Sequence, residues 1–227
     1  MQPVQLRNRV VGAVSSDVRE FEGRLVVWVD VDAGSRVGAL TSDSSGKLEN
    51  ASQTARAKGF PLIVIMRSSG ADIVEGFAAL HGWGMAARAL TDCSGVVPII
   101  MIVEGPAVSG PALLLGMADF VVMTTDSYAF VTGPTMVAEF TGVMIDNEEL
   151  GGAAAHARYS GATSLVAADL AAAIEMVGQL LTYLPQHNDE EPRLWPTDDP
   201  PDRRTPEAGE LMPRTSTGSY DVRDVIR

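Results

Sequence analysis

Two short stretches carry residues whose types and spacing suit chemistry on an oxygen that gains negative charge. Arg67-Ser68-Ser69-Gly70-Ala71-Asp72 and Glu104-Gly105-Pro106-Ala107-Val108-Ser109-Gly110 are small-residue turns, each directly behind an apolar run. Glycine lets a backbone N–H approach a ligand with no Cβ in the way. A helix that begins just after such a turn adds unpaired N–H donors and the positive end of its dipole. Donors fixed beforehand in this way stabilise a developing oxyanion. Taken alone, the 104–110 segment is read first as an ordinary strand-to-helix turn, because function has to be argued from a site rather than from a fold.

Other chemically active side chains form no comparable pattern. Ser109 does not sit in a Gly-x-Ser-x-Gly elbow, and no histidine is placed to serve it. Gly46-Lys47 resembles the end of a phosphate loop, but Thr41 stands where the first glycine belongs, so Lys47 is expected to be a solvated residue at a helix start. His81, His156 and His187 lack metal-ligand spacing, and no metal is expected. His81 lies beside an apolar helical stripe and reads as packed or half-exposed. Glu75, in the first turn of that helix, either faces the site or is simply a solvated carboxylate. Cys93 is the single cysteine, which excludes a disulfide framework or a cysteine zinc ribbon and suits a reducing compartment.

The elements that must position the two turns follow from periodicity. Residues 9–21 (RVVGAVSSDVREF) and 24–31 (RLVVWVDV) are β-rich runs around Glu22-Gly23, a hairpin pattern. Residues 32–46 are loop-like, and 47–58 carry helix formers closed by Gly59. Residues 60–66 and 97–103 are short, almost wholly apolar runs, the signature of strands covered on both faces, with Gly105-Pro106 ending the second. Between them a helix starts directly after Asp72, with Ile73, Phe77, Leu80, Gly84 and Ala87 on one apolar face, and ends near Ser94-Gly95. Short strands at 120–123 and 129–131 follow. A helical patch starts at Gly133-Pro134, and 148–159 form a small-residue helix or pair of turns. A last amphipathic helix carries Leu170, Ile174, Val177, Leu181 and Leu184 before Pro185. Alternating strands and helices predict an α/β fold with a mostly parallel sheet, and both turns fall at carboxyl ends of strands, where ligands of parallel sheets sit.

The chain has 227 residues, 46% of them hydrophobic, enough for one domain with a sizeable core. The net charge of −12 argues against nucleic acid, which needs a basic stripe. With no charged-then-apolar leader and no apolar run near twenty residues, the expectation is a cytoplasmic protein without a membrane association. The expected organisation is a domain over 1–186 and an extended Pro- and Asp-rich arm or linker over 187–227.

In order along the chain, Ser68-Ser69-Gly70-Ala71-Asp72-Ile73-Val74-Glu75-Gly76, Gly95-Val96-Val97-Pro98, Gly105-Pro106, Asp119-Phe120, and Tyr128-Ala129-Phe130-Val131-Thr132-Gly133-Pro134 form one series. Glu148-Glu149-Leu150-Gly151-Gly152-Ala153 with His156, residues 181–185, and Asp198-Asp199-Pro200-Pro201-Asp202-Arg203 continue it. The series resembles the N-terminal domain of the carboxyltransferase subunits of biotin-dependent acyl-CoA carboxylases, members of the crotonase superfamily. That resemblance implies a crotonase (ClpP/crotonase-like) spiral ββα fold. It also implies an acyl thioester carbonyl held by the backbone N–H groups of Ala71 and Gly110, with Ser69, Gly70 and Ser109 as substrate-binding neighbours. Leu113 stands where hydratases of the superfamily carry a glutamate, so hydration is not expected.

By the same resemblance, the cofactor is biotin, as carboxybiotin on a separate carrier protein, and acyl-CoA is the substrate. The implied partners are a C-terminal-half carboxyltransferase subunit, docking partly on 187–227, together with the biotin carboxyl carrier protein and biotin carboxylase, in a hetero-oligomer. Family chains begin with a further helical segment and continue past the 220–226 segment into a second domain, so this chain is expected to form half of a split site. Ser69, Asp72 and Ser109 stand where the family usually has Gly, Arg and Gly. Two alternatives stay open: an acyl-CoA (malonyl- or methylmalonyl-type) decarboxylase subunit using the same oxyanion pair, and a non-catalytic scaffold or regulatory subunit that kept the fold.

Overall fold

The computed structural model describes residues 13–32 and 36–226. The chain opens on an antiparallel hairpin of β1 (Val14–Phe21) and β2 (Arg24–Val31). Glu22 and Gly23 both take positive φ, 50° and 72°, the two-residue turn whose twist matches that of the strands it joins. Residues 9–12 of the expected first run lie outside the described residues.

From β2 onward the pairing is parallel. β3 (Leu62–Ser68), β4 (Ile99–Val108), β5 (Phe120–Thr124) and β7 (Leu165–Ala167) extend the sheet in the order β1-β2-β3-β4-β5-β7, and β6 (Tyr128–Phe130) pairs with the far end of β4. The crossovers between parallel strands carry α1 (Ser42–Lys58), α2 (Phe77–Cys93) and α3 (Gly110–Leu114). The apolar runs are continuous because both sheet faces are covered. Leu62, Val64 and Met66 pack with Leu48, Ala51, Ala86 and Leu90 of α1 and α2. Ile63, Ile65, Ile100 and Ile102 pack on Ala173, Val177 and Leu181 of α7 (Leu170–Tyr183) on the other face.

Three expectations are corrected. First, α1 begins at Ser42, inside the expected loop. Thr41 caps it by accepting from the Ser44 N–H at 3.0 Å, and Glu75 Oε2 accepts from the Ser42 N–H at 2.7 Å, so a run of Ser and Asp becomes a capped helix start. Second, β4 does not stop at Gly105-Pro106 but runs to Val108. The register against β3 shifts between Met66 and Ser68, and Pro106 pairs with Tyr128 of β6, so the proline sits where the strand leaves one partner for another. Third, α2 begins at Phe77 and buries Ala79, Ala86, Leu90 and Cys93, while Ile73 and Phe77 are 91% and 89% exposed. Of the stripe read from the sequence, Ile73, Phe77, Leu80 and Gly84 are exposed and only Ala87 is buried, because the small residues of α2 are what fit against the closely packed α1.

Beyond β6, Pro134 stands at the first position of α4 (Pro134–Thr141), and Gly142 closes it with φ 74°. The expected small-residue region resolves into α5 (Asn147–Gly151), α6 (Ala153–Ala155) and a π-helical turn, His156–Ser160. Asn188 N–H donates to the Val96 carbonyl at 2.9 Å, tying the segment after α7 to the main unit, which closes at Arg193. A second unit from 194 onward holds α8 (Pro206–Glu210) and α9 (Val222–Ile226), with ion pairs Arg203–Asp199 and Arg223–Asp221. Among the described residues no helix is long and apolar enough to cross a membrane.

Burial raises the Cys93 thiol pKa from its ordinary value near 9 to about 11, and the Sγ–H donates to the Ser52 carbonyl at 3.1 Å. The raised value favours the protonated thiol in the folded state. Its stabilising contribution is therefore complete below pH 9 and falls away as pH rises through 11. Native protein at pH 8 is expected to react with a thiol reagent only as fast as it unfolds; labelling at the rate of a free thiol would contradict the burial.

Candidate oxyanion site

The first turn is fixed by a backbone strap. Leu40 N–H donates to the Gly70 carbonyl at 2.8 Å, and the Leu40 carbonyl accepts from the Asp72 N–H at 2.9 Å, a parallel bridge centred on Ala71. In such a ladder successive residues face opposite sides. With Gly70 O and Asp72 N turned toward Leu40, the intervening Ala71 N–H is directed away from the strap. Ser69 N–H donates to the Val37 carbonyl at 3.0 Å, and the buried Ser68 Oγ donates to the Gly38 carbonyl at 2.6 Å and accepts from the Gly70 N–H at 3.3 Å. Asp72, 4% exposed, accepts from the Val74 N–H at 2.9 Å and so closes the turn that leads toward α2.

Ser109 N–H, in the second turn, donates to the Phe130 carbonyl of β6 at 2.9 Å. Ser109 then takes φ 63° and ψ −125°, and the chain enters α3 with Gly110 and Pro111 at its start. As the first residue of a helix, Gly110 has an N–H with no acceptor inside that helix. The two turns meet: a Cβ placed on Gly70 would lie 3.5 Å from both Ser109 Cβ and the Val108 carbonyl oxygen. Among the described residues neither the Ala71 nor the Gly110 N–H has a hydrogen-bond partner.

Beneath the turns lies a charged brace across three strands. Arg67 at the end of β3 bonds Asp30 of β2 through Nη1 at 2.6 Å and Glu104 of β4 through Nε. Burial by itself lowers the Arg67 pKa, but the two carboxylates outweigh that and hold the guanidinium above its ordinary value. The brace ties the end of β3, from which the first turn departs, to β4 at Glu104, four residues before that strand ends at Val108.

All five residues expected at the site therefore gather at the carboxyl ends of β3 and β4. Ser69 and Ser109 are exposed, Gly70 is buried, and Ala71 and Gly110 are half-buried. Glu75 is not at the site, since it caps α1. Lys47 lies within α1 and pairs with Asp43 at 3.3 Å, so it is not a phosphate-loop lysine. Sequence reasoning missed the brace, although a charged residue closing each of three consecutive apolar strands was a visible signal. It also missed Trp83, whose indole sits against Gly110: a Cβ there would come 2.7 Å from Nε1 and 2.9 Å from Cδ1. No sequence signal marks that contact.

Residues 8–227 match the carboxyl transferase domain family. A propionyl-CoA carboxylase beta chain of Roseobacter denitrificans is 35% identical over 91% of this chain and 41% of its own length. A methylmalonyl-CoA decarboxylase alpha subunit of Veillonella parvula is 34% identical over the same shares. The crystal structure of transcarboxylase 12S, a hexamer with hydrolysed methylmalonyl-coenzyme A bound, superposes with a TM-score of 0.81 at 34% identity, covering 94% of this chain and 41% of that one. The chain thus spans about two fifths of the length of these relatives.

Two substitutions test the geometry of the second turn. A non-glycine residue held at the Ser109 conformation stores on the order of 1–3 kcal/mol, partly offset by the extra unfolded-state entropy of glycine. Ser109→Gly is expected to gain about 1 kcal/mol in denaturant unfolding; a loss would mean that the serine side chain supports the turn. Gly110→Ala is expected to cost about 1–3 kcal/mol by overpacking against the indole, and Trp83→Phe in the same chain is expected to recover part of it. No recovery in the double variant would locate the clash elsewhere.

Proposed function

The chain belongs to the carboxyl transferase domain family and has the crotonase-type fold of its solved relatives, and on that footing we propose that it is the acyl-CoA-holding half of a biotin-dependent acyl-CoA carboxyltransferase. The observation that supports this most is the meeting of two small-residue turns at the carboxyl ends of β3 and β4, each offering an N–H with no partner among the described residues. In this reading the Ala71 and Gly110 N–H groups donate to the thioester oxygen, with Ser69, Gly70 and Ser109 lining that end of the substrate. Loss of the α-proton moves charge onto that oxygen as an enolate, and each preorganised donor contributes roughly 3 kcal/mol to stabilising it. Carboxybiotin, borne on a separate carrier, supplies the carboxyl group. Every contact assigned to this chain is with the thioester.

A second crotonase-like domain, the C-terminal half of a carboxyltransferase, presents the carboxybiotin, with biotin carboxyl carrier protein and biotin carboxylase completing a cytoplasmic hetero-oligomer. The similarity to a methylmalonyl-CoA decarboxylase alpha subunit favours one other reading, removal of the carboxyl group from a malonyl- or methylmalonyl-type acyl-CoA. The same pair of donors serves both directions, because both pass through the enolate. Asp72 does not argue against either, since its carboxylate is buried and turned onto Val74 N–H rather than presented as a free charge beside the donors.

The full chain is expected to bind propionyl-CoA by calorimetry and to co-elute with a C-terminal-half carboxyltransferase subunit in size exclusion. Failure of both would overturn the proposal. Loss of carbon dioxide from methylmalonyl-CoA, measured with and without a biotin carrier, decides the direction.

A further inference from the structure

The second donor depends on a strand that is too short to place itself. β6 has three residues, Tyr128–Phe130, and its Phe130 carbonyl accepts the N–H of Ser109, the residue directly before Gly110. On one edge β6 pairs with β4 through Pro106, Ala107 and Val108. A strand of this length has little independent stability, so the position of Phe130 O rests on what holds the other edge. There, Tyr128 makes a bridge to Gly152, and the main chain at Gly151 comes so close that a Cβ would lie 2.2 Å from the Ala129 carbonyl oxygen. The remaining contact comes from a side chain: His156 Nε2 lies 2.8 Å from that same oxygen, and Nδ1 lies 2.7 Å from Ser160 Oγ.

A carbonyl oxygen only accepts, so Nε2 carries the proton. In the neutral ring Nδ1 then accepts from the Ser160 hydroxyl. Both ring nitrogens are engaged, which leaves no lone pair to act as a base on substrate. The π-helical turn begins at His156 and closes with Gly161 N–H donating to the His156 carbonyl at 2.8 Å. Turns of this kind recur where a helix must re-aim a side chain.

We infer that His156 is a positioning residue for the Gly110 oxyanion donor, acting through the Ala129 carbonyl, β6 and the Phe130–Ser109 hydrogen bond. This rests on the oxyanion reading of Ala71 and Gly110 given above. The path is short and made of hydrogen bonds: the imidazole fixes Ala129, the next residue's carbonyl fixes Ser109, and the residue after that donates to the thioester. Loss of the imidazole shifts the Gly110 donor and leaves the Ala71 donor, held by Leu40, in place.

The test compares binding of propionyl-CoA with binding of S-propyl-CoA, in which a methylene replaces the thioester carbonyl, to the full chain and its variants. Removal of one oxyanion donor costs about 10²–10³-fold in kcat in comparable sites. A ground-state thioester carbonyl carries less charge than the enolate, so a displaced donor is expected to cost about fivefold in preference for the thioester, the loss of one ordinary hydrogen bond. His156→Ala and His156→Asn are expected to lose that preference while S-propyl-CoA affinity stays within about twofold of the unmodified chain. His156→Gln, whose amide reaches the Nε2 position, is expected to keep it. If His156→Ala does not fold, the Asn and Gln variants decide, since they share an amide and differ by one methylene in reach. Unchanged preference in the Asn variant, or an equal fall for both ligands, would overturn the inference. A preference near one in the unmodified chain would instead overturn the oxyanion assignment, and the inference with it.

Discussion

The backbone of Leu40 is the constraint on which the site rests. Its N–H and carbonyl bracket Ala71 by bonding Gly70 O and Asp72 N, and the two-sided geometry of a ladder then decides which way the Ala71 N–H points. The strap can lie this close to the end of β3 only because Gly38 has no side chain: a Cβ there would stand 1.9 Å from the Arg67 carbonyl oxygen. Leu40 itself is wholly buried with the face of the sheet that α1 and α2 cover. The core packing that stabilises the domain therefore also orients the Ala71 N–H, the proposed first donor, and the orientation costs little beyond what folding already requires.

The proposed second donor, the Gly110 N–H, is held on a different principle. β4 stays paired with β3 as far as Ala107, with a register shift between Met66 and Ser68, while on its other edge it passes from β5, last paired at Val103, to β6 from Pro106 onward. Beyond that change of partner Ser109 comes against Gly70, just past the end of β3. The Arg67 brace joins β2 and β3 near their ends to the middle of β4 at Glu104. Breaking one partner of a partly buried ion network leaves a charge uncompensated, so the brace resists relative sliding of the two strands that hold the donors.

Periodicity and turn chemistry make the alternation of strands and helices, the hairpin, both small-residue turns and the Gly59 helix stop legible in the amino-acid sequence. What fails does so for identifiable reasons. Residues 42–46 look like a loop by composition, yet serine and aspartate at a helix start are caps, and the acceptor that completes the N-terminus is Glu75, thirty-three residues away. Pro106 looks like a strand end, but a bulge with a change of partner tolerates it. On α2, the three-and-four spacing of Ile73, Phe77 and Leu80 has the pattern of a core face, whereas the helix approaches α1 through alanines and Gly82, whose Cβ would lie 3.1 Å from Ser45 Cβ. Hydrophobicity ranks the faces of α2 wrongly because close approach, not side-chain size, selects the buried one. The five proposed site residues are legible only through the resemblance; their adjacency goes with the register shift between β3 and β4, which no local pattern announces.

Because both proposed donors are backbone groups, the identity of nearby side chains matters less in the proposed site than the path of the main chain. Asp72, buried, accepts from the Val74 N–H and closes its own turn. Ser109 keeps a positive φ that would suit glycine, which means the surrounding hydrogen bonds overcome the strain of a Cβ at that point. The Phe130 carbonyl on its N–H and the Trp83 indole against the next residue are the contacts in place to do this. In the proposed site, altered side chains at the turns themselves leave the donors in place, whereas changes in the strap, the brace or β6 move the main chain that carries them.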